Sequence, residues 1–370
     1  MKFFLIGVLP SSLYNFRGHL LKDLKHMGLD IVSLASNAKQ EEINIIQSIG
    51  SKYIDVPIIR NGLNPTQDLK TFKVLHRVFK IQQPDVILAY TIKPIIWGAF
   101  AARCLPNCRF YALVTGLGFA FQKGNWKKNL LMKLVIFLYK TALKRADKVI
   151  FQNPDNRQVF IDLDIVPEHK TAVVNGSGVD ITHFEVKPLP STPTFLLIAR
   201  LLGDKGIREY VKAANIVKQK YPEAIFQIVG PEDPSPDGIS LEELTSLNQN
   251  NSVDYLGGTD DVRPFIEGCS IFVLPSYHEG LPRTVLEAMA TGRPILTTDV
   301  PGCRETVTNG ENGWLVEKAN VEQLAEKMTW FIENQVEWQR MAKASREMVE
   351  NKFDVHKVNK TLLKIMELDK

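Results

Sequence analysis

The sequence predicts an α/β architecture of two successive doubly wound domains. Short apolar runs rich in β-formers alternate with stretches of helical period, the sign of right-handed βαβ units and a parallel sheet. That alternation halts at "EVKPLPSTP", residues 185–193, with three prolines in nine residues, and then restarts. At 370 residues the chain is also long for one core and suits two of roughly 100–200 residues each.

In chain order, the apolar run at 3–8 predicts the first strand and the period of Leu20, Leu21 and Leu24 a helix over 18–27. Strands follow at 31–35 and 53–56, a helix over 69–81 and strands at 86–90, 110–115, 148–153 and 171–174. Beyond the prolines come a strand at 194–199, a helix near 207–220 and strands at 224–229, 254–256, 271–274 and 294–297. The expected domains are 1–188 and 189–350, with a terminal helix in 351–370 packing back across the lobes.

A hydrophobic share of 45% with 23% charged residues is ordinary for a water-soluble protein, and no stretch approaches the roughly 20 apolar residues that span a bilayer. "MKFFLIGVLPSS" has too short an apolar run for a signal peptide and no small-residue cleavage site, so it reads as a buried strand. Cys104, Cys108, Cys269 and Cys303 form no C-x2-C pair, which predicts reduced thiols in a cytoplasmic protein. Residues 1–150 carry 22 Lys and Arg against 8 Asp and Glu, a net of +14, and the remainder is −10. A basic half points to a polyanion or an anionic membrane surface. No helix-turn-helix, RNA-binding or zinc pattern supports nucleic acid as that partner.

In open parallel sheets ligands bind outside the carboxyl ends of the strands, so functional residues should follow strands and line a cleft between the lobes. Arg200, Gly230, Gly257 and the stretch from Ser276 to Gly280 all follow expected strands. In "IARLLGDKGIREYV", Arg200 ends a strand, and Lys205 lies in a Gly-flanked loop before a helix that Asp204 is placed to cap. Two cations and a helix N-terminus make an anion site without a metal. No G-x4-G-K-[ST] accompanies them, which argues against a P-loop NTPase.

"HEGLPRTVLEAMATGRP" sets Glu279 and Glu287 with seven residues between them. If the helix begins near Leu281, Glu287 lies roughly 9 Å along its axis and Glu279 ahead of its start. The helix start can take phosphate, Glu287 ribose hydroxyls and Glu279 sugar hydroxyls, and a sugar nucleotide has those parts in that order. This suits the spacing better than a glycosidase pair flanking one bond.

These residues resemble a family. "EGLPRTVLEAMATGRP" is similar to the Glu-x7-Glu motif of family 4 glycosyltransferases, which have the GT-B fold of two Rossmann-like doubly wound domains facing across a cleft. The resemblance extends to "IARLLGDKGIREY", "IVGPED", "VDYLGGTDDV", "CSIFVLPSY", "TDVPGCRETVTNGENGWLV" and "VVNGSGVD". It implies a retaining transferase with no cofactor. Glu279 would hold the donor sugar, Arg200 and Lys205 the leaving diphosphate, and Glu287, Gly230, Gly257, Gly280, Leu281 and Thr284 the nucleotide. The leaving phosphate would deprotonate the acceptor in a front-face displacement, so no enzyme nucleophile is assigned.

"LAYTIKPIIWGAFAAR" and "YALVTGLGFAF" look like strand-loop motifs of bacterial enzymes that add a hexose or N-acetylhexosamine to undecaprenyl-diphosphate-linked sugars. The resemblance is greatest to those transferring N-acetylgalactosamine, in O-antigen, capsule or glycoprotein glycan assembly. It implies a UDP-sugar donor and a polyprenyl-diphosphate-linked acceptor. The Gly-Gly loop and the His of many members are replaced by "LPSSLYNFRGH" and "VTGLG", so the acceptor side rests on Ser11, Ser12, Asn15, Thr115, Gly116 and Gly118, with Arg17 and Lys93 facing the acceptor diphosphate.

Residues 122–148, "QKGNWKKNLLMKLVIFLYKTALKRADK", form a basic amphipathic segment that reads either as an interfacial helix or as a core helix with a solvated face. The first reading places the protein peripherally on the cytoplasmic face of the inner membrane. Asp162 and Asp164 form a D-x-D in a region that is a variable loop in relatives, so no metal is expected there. Three other functions stay open: transfer to a soluble or other glycolipid acceptor, UDP-sugar epimerisation, and sugar-nucleotide binding without turnover.

Overall fold

The computed structural model describes residues 1–59, 64–118, 121, 126–235, 237–248 and 250–369. The chain divides into two units, Met1–Ser177 with Val358–Lys370, and Gly178–Lys357. The first has seven strands: β1 (Lys2–Ile6), β2 (Asp30–Ala35), β3 (Ser51–Asp55), β4 (Val86–Tyr90), β5 (Arg109–Val114), β6 (Lys148–Phe151) and β7 (Thr171–Val173). They lie in the order β3-β2-β1-β4-β5-β6-β7, all parallel. The helices between them are α1 (Pro10–Asn15), α2 (Gly18–His26), α3 (Gln40–Ser48), α4 (Pro65–Gln82), α5 (Ile92–Ala102), α6 (Trp126–Ala142) and α7 (Pro154–Asp162).

The second unit repeats the plan with β8 (Thr194–Ile198), β9 (Ile225–Val229), β10 (Asp254–Tyr255), β11 (Ile271–Leu274), β12 (Ile295–Thr298) and β13 (Gly313–Val316), in the order β10-β9-β8-β11-β12-β13. Its helices are α8 (Ile207–Lys220), α9 (Leu241–Leu247), α10 (Arg263–Glu267), α11 (Arg283–Ala290), α12 (Val321–Glu333) and α13 (Trp338–Met348), and α14 (Val355–Ile365) follows them. Strand order reverses between β1 and β4 in one sheet and between β8 and β11 in the other, and these reversals are where such sheets open a crevice.

Both faces of each sheet are covered, which is why the strands read as continuous apolar runs. In β1, Phe4 and Ile6 join the cluster that holds Phe79 of α4, while Phe3 and Leu5 join Leu20 and Leu24 of α2, all within 1% of full burial. Each such side chain contributes roughly 1.5–3 kcal/mol. β8 alternates likewise, Phe195 and Leu197 on one face and Leu196 and Ile198 on the other.

The expected strands differ from the observed ones by a residue or two at their ends, and β13 has no expected counterpart. α4 starts earlier than 69 because Asn64 caps it, its side chain accepting from the Gln67 amide at 3.3 Å, with Pro65 in the first turn. The larger difference is α5. Residues 92–102 are a helix with seven of eleven residues buried, not strand and loop, and a helix buried on most sides shows no polar face to reveal its period.

The proline-rich stretch 185–193 lies in the second unit. Arg293, fully buried, donates to the carbonyls of Lys187 and Pro188 at 3.1 Å each and to those of Ile266 and Glu267. The same unit pairs Val179 with the turn before α14, through Val179 N to Phe353 O at 2.9 Å and Val355 N to Val179 O at 3.0 Å. From Val358 onward the chain belongs to the first unit, where Leu362 and Met366 join the face of Phe3 and Leu5.

Candidate functional site

In the second unit the loops after β8 and β11, neighbours at the strand-order reversal, are locked together. Ser276 Oγ donates to Asp204 O at 3.1 Å and Tyr277 N to the same carbonyl at 2.8 Å. Tyr277 Oη reaches Glu209 Oε1 at 2.8 Å, and His278 Nε2 lies 3.6 Å from Asp204 Oδ2. The contact requires Gly206 in the left-handed region at φ +73°, where a Cβ would stand 2.1 Å from the Pro275 carbonyl oxygen.

This lock brings Lys205 to Glu279, Nζ to Oε1 at 2.5 Å, with both side chains less than one-fifth exposed. Burial alone would push the Lys205 ammonium down, but the Glu279 carboxylate outweighs it and holds the group above its ordinary value. Arg200 pairs with Asp233, a residue that sequence reasoning missed although "GPED" sets an acid just past β9. Burial opposes ionisation of Asp233, yet the Ser235 hydroxyl and amide and the Arg200 guanidinium hold its carboxyl below the usual range. Both cations are thus already neutralised by acids, and an entering anion must exchange with those partners.

Helix α11 begins at Arg283, not near Leu281. Pro282 takes an extended conformation at the N-cap, and a residue before proline is kept out of the helical region. Glu287 is therefore about 6 Å along the axis from the first helical residue rather than 9 Å. It is 7% exposed, its carboxyl is pushed up by burial, and Arg283 Nε reaches it at 2.8 Å in partial compensation. Gly280 is buried and Leu281 and Thr284 half-buried around that helix start. Gly230 and Gly257 meet through Gly230 N to Gly257 O at 2.8 Å, and a Cβ on Gly230 would stand 1.8 Å from the Ala199 carbonyl oxygen.

In the first unit, Ser12 follows β1 and its Oγ both donates to Leu9 O at 2.6 Å and lies 2.7 Å from Tyr90 Oη at the end of β4. Tyr90 is buried, which pushes its phenol up to about 12. It fills space that only Gly7 leaves open. Arg17 and Lys93, expected to face an acceptor diphosphate, both have partners within the first unit. Arg17 is 3% exposed with its guanidinium 5.6 Å over the Tyr90 ring, and Lys93 pairs with Asp68 of α4 at 2.9 Å, because each cation is largely desolvated and needs a partner. Ser11 is half-buried, Asn15 exposed, and Thr115, Gly116 and Gly118 half-buried in the loop after β5, with residues 119–120 outside the described ones.

Asp162 ends α7, and Asp164 pairs with Lys140 at 3.1 Å. Among the described residues no group of three His, Cys, Asp or Glu side chains is placed to hold a metal. No described helix is long and apolar enough to cross a membrane.

Comparison with known proteins agrees with this geometry. The family model described as glycosyl transferases group 1 matches residues 180–348, and that described as glycosyl transferase 4-like matches residues 8–153. The chain is 33% identical to the N,N'-diacetylbacillosaminyl-diphospho-undecaprenol alpha-1,3-N-acetylgalactosaminyltransferase of Campylobacter jejuni, covering 88% of each. It is 25% identical to the UDP-Gal:alpha-D-GlcNAc-diphosphoundecaprenol alpha-1,3-galactosyltransferase of Escherichia coli, covering 91% of this chain and 92% of that one. Among solved structures, sucrose-phosphate synthase from Thermosynechococcus elongatus superposes with a TM-score of 0.82 at 19% identity, over 99% of this chain and 98% of that one. Anabaena HepE in complex with UDP-glucose does so at 0.79 and 18%, over 99% of each. With its two Rossmann-like parallel sheets and a 33% identical relative matched over most of both chains, the protein belongs to the family 4 (group 1) glycosyltransferases of the GT-B fold.

Proposed function

We propose that the enzyme transfers a hexose or N-acetylhexosamine, N-acetylgalactosamine first among them, from a UDP-sugar to an undecaprenyl-diphosphate-linked sugar, with retention and without a metal. The carrying observation is the Lys205–Glu279 pair at the β8/β11 reversal, next to Arg200 and the start of α11. An incoming diphosphate draws Arg200 from Asp233 and Lys205 from Glu279. That frees the Glu279 carboxylate to accept from donor-sugar hydroxyls while Glu287 takes the ribose. The two cations then face the charge that builds on the leaving diphosphate, the kind of fixed electrostatic stabilisation that dominates most rate enhancements. The activities named for the Campylobacter and Escherichia coli relatives support the lipid-linked acceptor.

A panel of radiolabelled UDP-sugars with synthetic polyprenyl-diphosphate sugar acceptors tests the reading, with the anomeric configuration read by NMR. Transfer from UDP-N-acetylgalactosamine in excess chelator is expected. Activity lost to chelator and restored by manganese would overturn metal independence, and product formed without acceptor would favour an epimerase.

Docking at a membrane surface is favoured by α6. Its Val135, Tyr139 and Ala142 are buried, while Trp126, Leu130, Leu134 and Phe137, at helical spacing on the opposite side, are 43–70% exposed. The sequence segment's apolar residues thus sort onto two faces. The outward one shares its side with Lys133 and Lys140, and no acid occurs between 126 and 146. That combination suits an anionic interface. Residues 122–125 of the segment lie outside the described ones.

A further inference from the structure

The end of β12 and the loop after it hold the turn that carries Glu279, through contacts that neither spacing nor composition reveals. Thr298, 1% exposed, donates its hydroxyl to the Ser276 carbonyl, and Glu279 N donates to Pro301 O at 3.1 Å. Next to the second of those bonds Gly302 packs against Glu279. A Cβ there would stand 2.6 Å from the Glu279 carbonyl oxygen, 2.7 Å from its carbonyl carbon and 2.8 Å from its Cβ. At φ +87° no L side chain is comfortable, and the Gly302 amide is fixed by Glu305 Oε2 at 2.7 Å. Cys303, fully buried beneath, has its thiol pushed up to about 12 by burial and by the nearby Glu279 carboxylate, and so stays neutral.

We propose that Thr298 and Gly302 are positioning residues that set the backbone, and hence the carboxylate, of Glu279 for the donor sugar. The inference rests on the donor-sugar role of Glu279 proposed above. The neighbouring Thr297 supplies an internal contrast. Its hydroxyl donates to Leu274 O at 2.6 Å, inside strand β11 and upstream of the Ser276–Glu279 turn. A purely structural role for this loop predicts the same phenotype for both threonines, whereas positioning singles out Thr298.

The test measures kcat, donor KM, UDP affinity by calorimetry and melting temperature for Thr298→Val, Thr298→Ser, Thr297→Val, Gly302→Ala and Glu279→Ala in the full chain. Thr298→Val and Gly302→Ala should lower kcat roughly 10- to 100-fold, the scale of an ångström-sized misplacement, with UDP affinity nearly unchanged. Thr298→Ser, which keeps the hydroxyl, should recover most of the rate, and Thr297→Val should lose melting temperature without that kcat loss. Equal kcat losses for the two valine variants, or wild-type kcat in a folded Thr298→Val or Gly302→Ala, overturn the proposal. If Thr298→Val does not fold, Gly302→Ala decides alone. Wild-type activity in Glu279→Ala would instead overturn the donor-site reading itself, so the two failures are distinct.

Discussion

The two glutamates of the Glu-x7-Glu stretch each have a cation against them but differ in burial. Glu279 has a buried ammonium against it, so removing one partner strands the other. Lys205→Ala should cost about 2 kcal/mol, below the 3–5 kcal/mol of fully buried pairs because both side chains keep some exposure. Glu279→Ala in the Lys205→Ala background should recover part of that stability and none of the activity, which a double-mutant cycle of denaturation midpoints will show. Glu287, paired with Arg283, is the more deeply buried of the two. Its folded-state value lies above that of the unfolded chain, so its contribution is least unfavourable at or below the unfolded value and worsens as pH rises through the folded one. Glu287→Gln should therefore raise the melting temperature at pH 7 while weakening UDP binding roughly tenfold, as expected for loss of a charged hydrogen bond. These acids were legible in the sequence because their spacing is local. Asp233, Asp68 and Tyr90 were not, since each meets its partner only when elements distant in sequence become neighbours.

Among elements, most strands and helices such as α2, α4 and α8 were readable from apolar runs and period, whereas β13, α12, α13 and the buried α5 were not read. Seven of the eleven residues of α5 are buried, so its composition resembles strand and loop, and only the sheet order explains why a crossover helix must fill residues 92–102. The start of α11 was misplaced by two residues because the apolar pattern outweighed the effect of Pro282 on Leu281. Helix α8 depends on its first turn leaving room for β11. Gly206→Ala adds the left-handed penalty of roughly 1–2 kcal/mol to a collision with the Pro275 carbonyl. The expected result is a lower melting temperature together with weaker UDP binding, read by calorimetry.

At the scale of the molecule, the charge split of +14 over residues 1–150 against −10 over the remainder was visible by counting, but which side chains could meet a surface was not. Co-flotation with phosphatidylglycerol vesicles at low salt is expected. It should fall steeply near 1 M salt, where the Debye length shrinks to about 3 Å, and fall further in Trp126→Ser/Phe137→Ser. Protein remaining at the bottom of the gradient at low salt would refute docking.

The return of residues 358–369 to the first unit carries a consequence for synthesis. Tyr111 Oη donates to Met366 O at 2.9 Å, Asn359 Nδ2 donates to Asp23 Oδ2 at 2.8 Å, and Val358, Leu362, Leu363 and Leu368 are buried against the outer face of the first sheet. The ribosome makes this segment after the whole of the second unit. The first unit is thus completed only after the second has been made, and it waits through the synthesis of 178–357 with an apolar face uncovered, a natural client for a chaperone.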